Sequence, residues 1–557
     1  MTRLLTCQKP VTDLVREFAE GDLAIPEIQR DVVWKPEQVK KLIGSIFCQY
    51  PCGSLIFWEP REKDAALVRS MIRPERLDQH KDKLPKYFLL DGQQRLTALA
   101  SVLLPRPQLK EVLAEIEEDM PYIFCDLKRF PNELEATNDT SGYSFPWFSL
   151  LEVLDGSLGQ REDIRQRLGD AKFKNIIAQA QQLGNYQFPV QIIQERNYAD
   201  VAEIFARVNS LGTPLTGAEI HLAKLVPYWK GITKDFREYR KELRDKKYDL
   251  DLSFLMRAIT AVECDTAQIA KLTQRMARDH LTPKHLKQSW RKARQAIDRV
   301  VAVLESELSL DRARYLPSKN ALIPLVYYLT RDKSKTKSTR QMLRFFIFSQ
   351  LSERYGGGTE TTFRADFRVL TDQNATPRQN LEGLAEAAAA EARQYYRGLK
   401  VRPTDVSGPP AKNVMLLLMY VLMRQQKATD WGTEARTPLK DIEPADMHLH
   451  HIFPFNFMVK DKSAKAYAES QDLNPSEFRS WVNDIANMTF LRSSTNIRIG
   501  DLPPWQYLAQ ETTKEMRKAH FIPEDHALWT PERFGDFLEA RSTLIAKAAT
   551  RLLKSLK

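Results

Sequence analysis

Cysteine is scarce in this chain of 557 residues, and the few that occur form no framework. The five cysteines are Cys7, Cys48, Cys52, Cys125 and Cys264. An odd number at scattered positions argues against a disulfide-stapled secreted protein. Cys48 and Cys52 have no second pair to complete a ligand set, so the sequence predicts no structural zinc site.

Targeting signals and long apolar runs are also lacking. Residues 1–22 contain acidic side chains and no long apolar core, so they do not have the pattern of a signal peptide. The longest apolar stretch, 414–423, is shorter than the roughly 18–20 residues that a membrane helix needs, and we expect a buried helix there. We therefore expect a cytoplasmic protein with no membrane partner.

Charge of one sign is only mildly in excess. The chain has 83 Lys and Arg against 72 Asp and Glu, a net charge of +11. This excess fits a polyanionic partner, because each neutralised phosphate releases a counterion. It fits equally well a mildly basic protein without such a partner.

The hydrophobic pattern predicts an α+β multidomain protein. Short runs rich in β-branched and aromatic residues predict strands at 54–59, 86–92, 121–127 and 188–193. An apolar stripe at helical spacing predicts a helix over 36–47, and 94–103 has the pattern of another. We expect three domains, namely an α/β domain over 1–215, an all-helical region over 216–435 and a C-terminal domain over 436–557.

Two adjacent histidines end a predicted strand in the C-terminal domain. His450 and His451 lie in DMHLHHIFP (446–454), and a second short strand is bracketed by Asn487 and Asn496. In an extended segment the two imidazoles point to opposite faces. One can then bind a metal while the other serves as a base near neutral pH. The alternative is a pair of ordinary strand histidines.

This set of residues resembles the HNH, or ββα-metal, nuclease motif. The resemblance implies that His451 is the general base and that Asn487 orients it. It implies that His450 and Asn496 are the metal ligands. Two departures are that Gly500 stands where many members have a further histidine, and that the spacing from His451 to Asn487 is long. One His, one Asn and waters would favour Mg²⁺ or Mn²⁺ over Zn²⁺.

A second polar cluster follows the predicted strand at 86–92. Asp91, Gln93, Gln94 and Arg95 lie in D-G-Q-Q-R at the start of a predicted helix. Backbone N–H groups at a helix N-terminus attract anions, and an arginine fork can bind a phosphate. A helix cap followed by solvated polar residues is the alternative.

Two other segments, IPEIQRDVVW (25–34) with Arg30 and FARVNSLGTPLTG (205–217) with Asn209, flank this motif. The ordered set, over roughly 10–225, resembles the ParB/sulfiredoxin-like NTPase domain of GmrSD-type modification-dependent restriction endonucleases. The resemblance implies that the D-G-Q-Q-R residues bind and hydrolyse a nucleoside triphosphate, with Arg30 and Asn209 as weaker candidates. The sequence contains no Walker lysine motif, which excludes a P-loop nucleotide site.

The helical region contains a basic segment, 284–299, with Lys287, Arg291 and Arg294 among its cations; 229–248 is also basic, but its cations alternate with Asp and Glu, which favours a solvated helix face. For 284–299, contact with DNA phosphates and an ordinary solvated helix face are equally good interpretations.

Taken together, the motifs predict an NTP-regulated, metal-dependent endonuclease that restricts modified or marked double-stranded phage DNA. The sequence leaves open whether the NTP is GTP, ATP or another, and whether the chain forms oligomers. Two alternatives remain. One is a nucleotide-gated DNA-binding switch without cleavage, which Gly500 favours. The other is an RNA-directed nuclease, since HNH chemistry does not itself fix the sugar.

Overall fold

The structure is a computed structural model of the chain. It describes residues 3–26, 34–61, 84–112, 121–137, 143–155, 157–194, 201, 204, 216–226, 228–229, 231–279, 282–332, 338–410, 413–432 and 436–556. The chain divides into two compact units, Met1–Asp235 and Phe236–Lys557. The predicted boundary at 435/436 falls inside the second unit, so the helical region and the C-terminal segment share one unit. The three-domain division stays a prediction.

The first unit is built on a mixed five-stranded sheet and a small antiparallel sheet. The five strands have the order β1-β8-β3-β4-β2, and the three-stranded sheet has the order β6-β5-β7. The predicted strands at 54–59, 86–92, 121–127 and 188–193 are confirmed as β3, β4, β5 and β8. The strands are β1 (Arg3–Pro10), β2 (Leu23–Ala24), β3 (Leu55–Trp58), β4 (Tyr87–Asp91), β5 (Tyr122–Asp126), β6 (Leu134–Thr137), β7 (Trp147–Ser149) and β8 (Gln187–Gln194).

Helices pack on these sheets through apolar stripes. In α2 a proline occupies the first turn, where its missing N–H costs nothing, and Val39, Leu42, Ile43 and Ile46 are all buried. The helix predicted over 36–47 is thus confirmed. The helices of this unit are α1 (Val11–Ala19), α2 (Pro36–Phe47), α3 (Gln93–Leu103), α4 (Arg106–Val112), α5 (Leu150–Leu154), α6 (Glu162–Leu168), α7 (Asp170–Asn185) and α8 (Gly217–Leu225).

The second unit begins with helices, as the sequence predicts for this region. They are α9 (Ile232–Asp245), whose first turn still belongs to the first unit, α10 (Leu252–Cys264), α11 (Ile269–Asp279), α12 (Pro283–Leu308), α13 (Ile323–Arg331), α14 (Thr339–Leu351), α15 (Thr359–Leu370), α16 (Pro377–Tyr395) and α17 (Val414–Gln425). The residues of α17 from Val414 to Met423 are all buried, as expected for this apolar stretch. Among the described helices, none combines the length and the apolar character needed to cross a membrane.

The rest of the second unit contains a two-stranded antiparallel hairpin surrounded by helices. Its elements are β9 (Met447–His451), α18 (Phe455–Lys460), α19 (Lys462–Ser470), α20 (Pro475–Val482), β10 (Met488–Arg492), α21 (Ser493–Ile499), α22 (Pro504–Glu511), α23 (Lys514–Ala519) and α24 (Phe534–Ser555). β9, β10 and α21 follow one another as strand, strand and short helix, and the predicted ββα-metal domain stays a prediction. Three helices, α18 to α20, lie between the two strands in the chain.

Candidate active site

The histidine pair lies at the end of β9. In the hairpin His450 pairs with Thr489 and His451 pairs with Met488. Because successive residues of a strand face opposite sides, the two imidazoles enter different surroundings. His450 is only 2% exposed, whereas His451 is half-buried.

Both ring nitrogens of His450 have close polar neighbours. Nδ1 lies 2.8 Å from Oδ1 of Asn496, in the middle of α21. Nε2 lies 3.2 Å from the hydroxyl of Tyr507, which donates a 2.6 Å hydrogen bond to the carbonyl of Ile452. Burial raises the pKa of Tyr507 well above its usual value, so this hydroxyl keeps its proton.

These contacts fix the tautomer of His450. The single hydroxyl proton of Tyr507 points at the Ile452 carbonyl, so the hydroxyl can only accept from Nε2–H of His450. Burial lowers the pKa of His450 to about 4, so the ring is neutral at pH 7 and Nδ1 keeps its lone pair. Asn496 can donate a hydrogen bond from its amide nitrogen to this lone pair. When a cation is bound, the amide oxygen of Asn496 and Nδ1 of His450 can instead both be ligands of that cation.

His451 has a different partner. Its Nε2 lies 2.9 Å from Oδ1 of Asn483, the residue that follows α20. Burial lowers the pKa of His451, and the hydrogen bond with Asn483 opposes that shift. The imidazole is therefore neutral at neutral pH, as a proton acceptor must be.

Asn487 holds the chain after the histidine pair but does not contact the His451 ring. Its side chain accepts from the Phe453 N–H at 2.8 Å and donates to the Phe453 carbonyl at 3.0 Å and the Val482 carbonyl at 2.9 Å. Its backbone carbonyl accepts from the Ile452 N–H. The side chain is fully buried. Asn487 therefore fixes the backbone at the point where β9 ends and the chain turns away.

The structure thus brings together all four residues that the sequence singled out here, namely His450, His451, Asn487 and Asn496. Two further residues lie within hydrogen-bond distance of the imidazoles and were not predicted from the sequence, namely Asn483 and Tyr507. Both come from helices distant in sequence from β9, and neither lies in a recognisable motif.

The D-G-Q-Q-R cluster lies between β4 and α3. Gly92 has φ +96°, and a Cβ there would lie 2.2 Å from Cδ2 of Leu55. Nη2 of Arg95 pairs with Asp91 at 3.0 Å, and its Nη1 donates to the Cys52 carbonyl at 3.1 Å. The guanidinium is therefore anchored, and these contacts use two of its five N–H groups.

The two glutamines of this motif differ in their surroundings. Gln93 is 6% exposed, and its Oε1 has no hydrogen-bond partner within the described part of the chain. Oε1 of Gln94 accepts from the backbone N–H of Trp34 at 3.2 Å. A buried polar atom without a partner is costly, so Gln93 Oε1 is suited to a bound donor. The weaker candidates Arg30 and Asn209 lie outside the described residues.

The basic segment 284–299 lies within α12. Lys287 and Arg291 are exposed, whereas Arg294 pairs with Glu242 at 2.6 Å. Trp290 is buried against Phe236 and Tyr239, so it belongs to the core of the unit.

Comparison with known proteins finds a family match within the first unit. Residues 11–226 match the family model described as the GmrSD restriction endonuclease, N-terminal domain. This range contains the D-G-Q-Q-R motif, so the predicted resemblance to GmrSD-type restriction endonucleases is confirmed for the N-terminal region. The second unit lies outside the matched range.

One relative aligns along nearly the whole chain. It is the "Uncharacterized protein MJ0686" of Methanocaldococcus jannaschii, which is 20% identical over 611 residues, covering 98% of this chain and 99% of the relative. The two proteins are thus similar in overall extent and not only in the N-terminal region.

Proposed function

We propose that the chain is an NTP-regulated, metal-dependent endonuclease that restricts modified foreign DNA. One observation carries the proposal: two neutral histidines end β9, Nδ1 of His450 lies 2.8 Å from Asn496, and Asn487 fixes the chain that directly follows the pair. The similarity of residues 11–226 to a restriction endonuclease domain supports DNA as the substrate.

His450 and Asn496 fit a divalent metal. The bare Nδ1 of His450 and the amide oxygen of Asn496, 2.8 Å apart, would both be ligands of one cation. Within the described residues no three His, Cys, Asp or Glu side chains form a metal-binding cluster, so water and substrate phosphate would complete the coordination. This ligand set favours Mg²⁺ or Mn²⁺. When bound, such a metal supplies charge stabilisation at the scissile phosphate.

His451 acts as the general base. A neutral imidazole takes a proton from a water molecule, whose oxygen then forms a bond to phosphorus while the bond to the leaving oxygen breaks and that oxygen takes up a proton from solvent. Asn487 contributes by fixing the backbone at Ile452 and Phe453, directly after the base.

The D-G-Q-Q-R cluster forms the nucleotide site of this proposal. Asp91, Gln93, Gln94 and Arg95 surround the start of α3, where an anion is favoured, and Oε1 of Gln93 has no hydrogen-bond partner among the described residues. Arg30 and Asn209 are proposed from the sequence alone. Lys287 and Arg291, with Arg294 as a weaker candidate, are proposed to contact DNA phosphates.

The test is cleavage of modified and unmodified phage DNA by the purified chain with Mg²⁺ or Mn²⁺ and each of the four NTPs. His451→Ala should lower the cleavage rate by about 10²–10⁴-fold, the usual contribution of a general base. His448→Ala is the matched control, because this neighbouring histidine is exposed on the same strand. Equal loss in both variants would contradict the assignment of His451.

Two further results would replace the proposal. DNA binding that responds to NTP, with no cleavage of any substrate, would support the non-cleaving switch. Preferential cleavage of RNA in a competition with DNA of the same sequence would support the RNA-directed nuclease.

A further inference from the structure

The residue that contacts the His451 ring comes from the long segment between the two strands. This segment contains α18, α19 and α20, and Asn483 follows directly on the last of them. Oδ1 of Asn483 lies 2.9 Å from Nε2 of His451. The long spacing between His451 and Asn487, which departs from the usual motif, therefore places the Asn483 amide beside the His451 imidazole.

The orientation of the Asn483 amide follows from its second contact. Its Nδ2 donates to the Arg479 carbonyl at 3.0 Å. A carbonyl oxygen only accepts, so the amide nitrogen must face Arg479 and the amide oxygen must face His451. Since that oxygen also only accepts, Nε2 of His451 carries the proton of the neutral ring. Nδ1 is then the basic nitrogen, and it has no hydrogen-bond partner among the described residues.

The backbone around Asn483 is held on both sides. Its own N–H donates to the Arg479 carbonyl at 3.2 Å, so the residue is fixed to the last turn of α20. The next residue, Asp484, accepts from the N–H groups of Gly408 and Ala486, both at 2.7 Å. A side chain held in this way can orient its partner at little further cost in entropy.

We propose that Asn483 is the positioning residue of the base, holding the His451 ring in one orientation and one tautomer with Nδ1 free to accept a proton. The segment between β9 and β10 is then a functional part of the nuclease site. This inference rests on the proposed function, because it assigns Asn483 a role in the same reaction.

Three substitutions separate this role from a structural one. Asn483→Ala removes both contacts of the amide. Asn483→Asp keeps an acceptor for Nε2–H but loses the donor to Arg479. Asn474→Ala removes the N-cap of the same helix, which accepts from the Ser476 and Glu477 N–H groups, and does not touch His451.

In DNA cleavage we expect Asn483→Ala to lower kcat by about 10- to 100-fold, as for residues that orient a functional histidine. KM for DNA should stay within about twofold, because no substrate contact is removed. Asn483→Asp should retain most of kcat, and Asn474→Ala should leave it within about twofold of the unsubstituted chain. Loss of kcat in Asn474→Ala or Asn483→Asp equal to that in Asn483→Ala would overturn the proposal.

A second readout does not depend on turnover. In the full chain with ¹⁵N-labelled histidine, the signals missing from the His451→Gln spectrum identify this ring. We expect Nε2 of His451 to be protonated and protected from solvent exchange, and this protection to be lost in Asn483→Ala but kept in Asn474→Ala. A ring protonated at Nδ1, or protection unchanged in Asn483→Ala, would overturn the inference. Failure of the unsubstituted chain to cleave any nucleic acid would instead contradict the proposed function.

Discussion

At the scale of single residues, Asn487 connects the stability of the site with its activity. Its buried amide makes three hydrogen bonds to the backbone of Phe453 and Val482. Asn487→Ala leaves those backbone groups unpaired in the interior, at about 1–3 kcal/mol each. We expect the free energy of unfolding, measured by urea denaturation, to fall by about 3–5 kcal/mol.

The comparison with His451→Ala makes this prediction specific. His451 is half-buried and makes one side-chain hydrogen bond, so its removal should cost much less stability while abolishing cleavage. If Asn487→Ala kept the full stability and lost only activity, Asn487 would act on the substrate or the base directly. The assignment of Asn487 as a residue that only fixes the backbone of Ile452 and Phe453 would then be wrong.

Residues at short fixed spacing could be predicted from the sequence, whereas tertiary partners could not. His450 and His451 are adjacent, and Asn487 and Asn496 flank one strand, so a local pattern predicted a common location. Asn483 and Tyr507 reach the histidines only because α20 and α22 pack beside the hairpin. Nothing in the sequence around them marks that contact.

At the scale of elements, the loop before β3 provides the space for Arg95. Gly53 has φ +81°, and a Cβ there would lie 2.3 Å from Nη1 of Arg95. Gly53→Ala should push the guanidinium away from Asp91 and Cys52. We expect nucleotide affinity, measured with a fluorescent nucleotide, to fall about tenfold or more, since a hydrogen bond to a charged group contributes ~1.5–3 kcal/mol.

Gly169→Ala is the matched control for this change. Gly169 has φ +82°, and a Cβ there would meet nothing within 4 Å. Both variants should lose about 1–3 kcal/mol of stability, because alanine is strained at a positive φ. Only Gly53→Ala should lose nucleotide affinity, and equal affinity in the two variants would refute the role given to Arg95.

Elements with a strong periodic pattern were predicted, and those determined by their neighbours were not. α2, β3, β4, β5 and β8 have buried apolar stripes or runs that appear directly in the sequence. The first strand, β1, was not predicted. Leu4 is 57% exposed, and the polar residues of β1 leave no alternation of apolar and polar side chains in the sequence. Its extended form depends on antiparallel pairing with β8, which is distant in sequence.

At the scale of the whole molecule, the two sets of candidate functional residues belong to different compact units. Residues 91–95 lie in the first unit and residues 450–496 in the second. The sequence also predicts that these two motif sets lie in different domains. The helical region and the C-terminal segment lie in one compact unit. Side chains connect them across the predicted boundary, because Arg312 donates to the carbonyls of Leu439 and Ile442.

This separation predicts that the two activities can be removed independently. Arg95→Ala should abolish NTP hydrolysis and the response of cleavage to NTP, while slow metal-dependent nicking without NTP remains. His451→Ala should abolish nicking and keep NTP hydrolysis within about twofold, because no group of the nucleotide site is changed. Both are measured on the same preparations, by phosphate release and by conversion of supercoiled plasmid.

Arg129→Ala is the control for the loss of a cation from the first unit, since Arg129 pairs with Glu133 on the surface. It should change neither activity. Loss of NTP hydrolysis in His451→Ala would indicate one shared reaction centre, which contradicts two sites. Cleavage by Arg95→Ala that still responds fully to NTP would place the regulatory nucleotide elsewhere, and the D-G-Q-Q-R cluster would then be an anchored turn between β4 and α3.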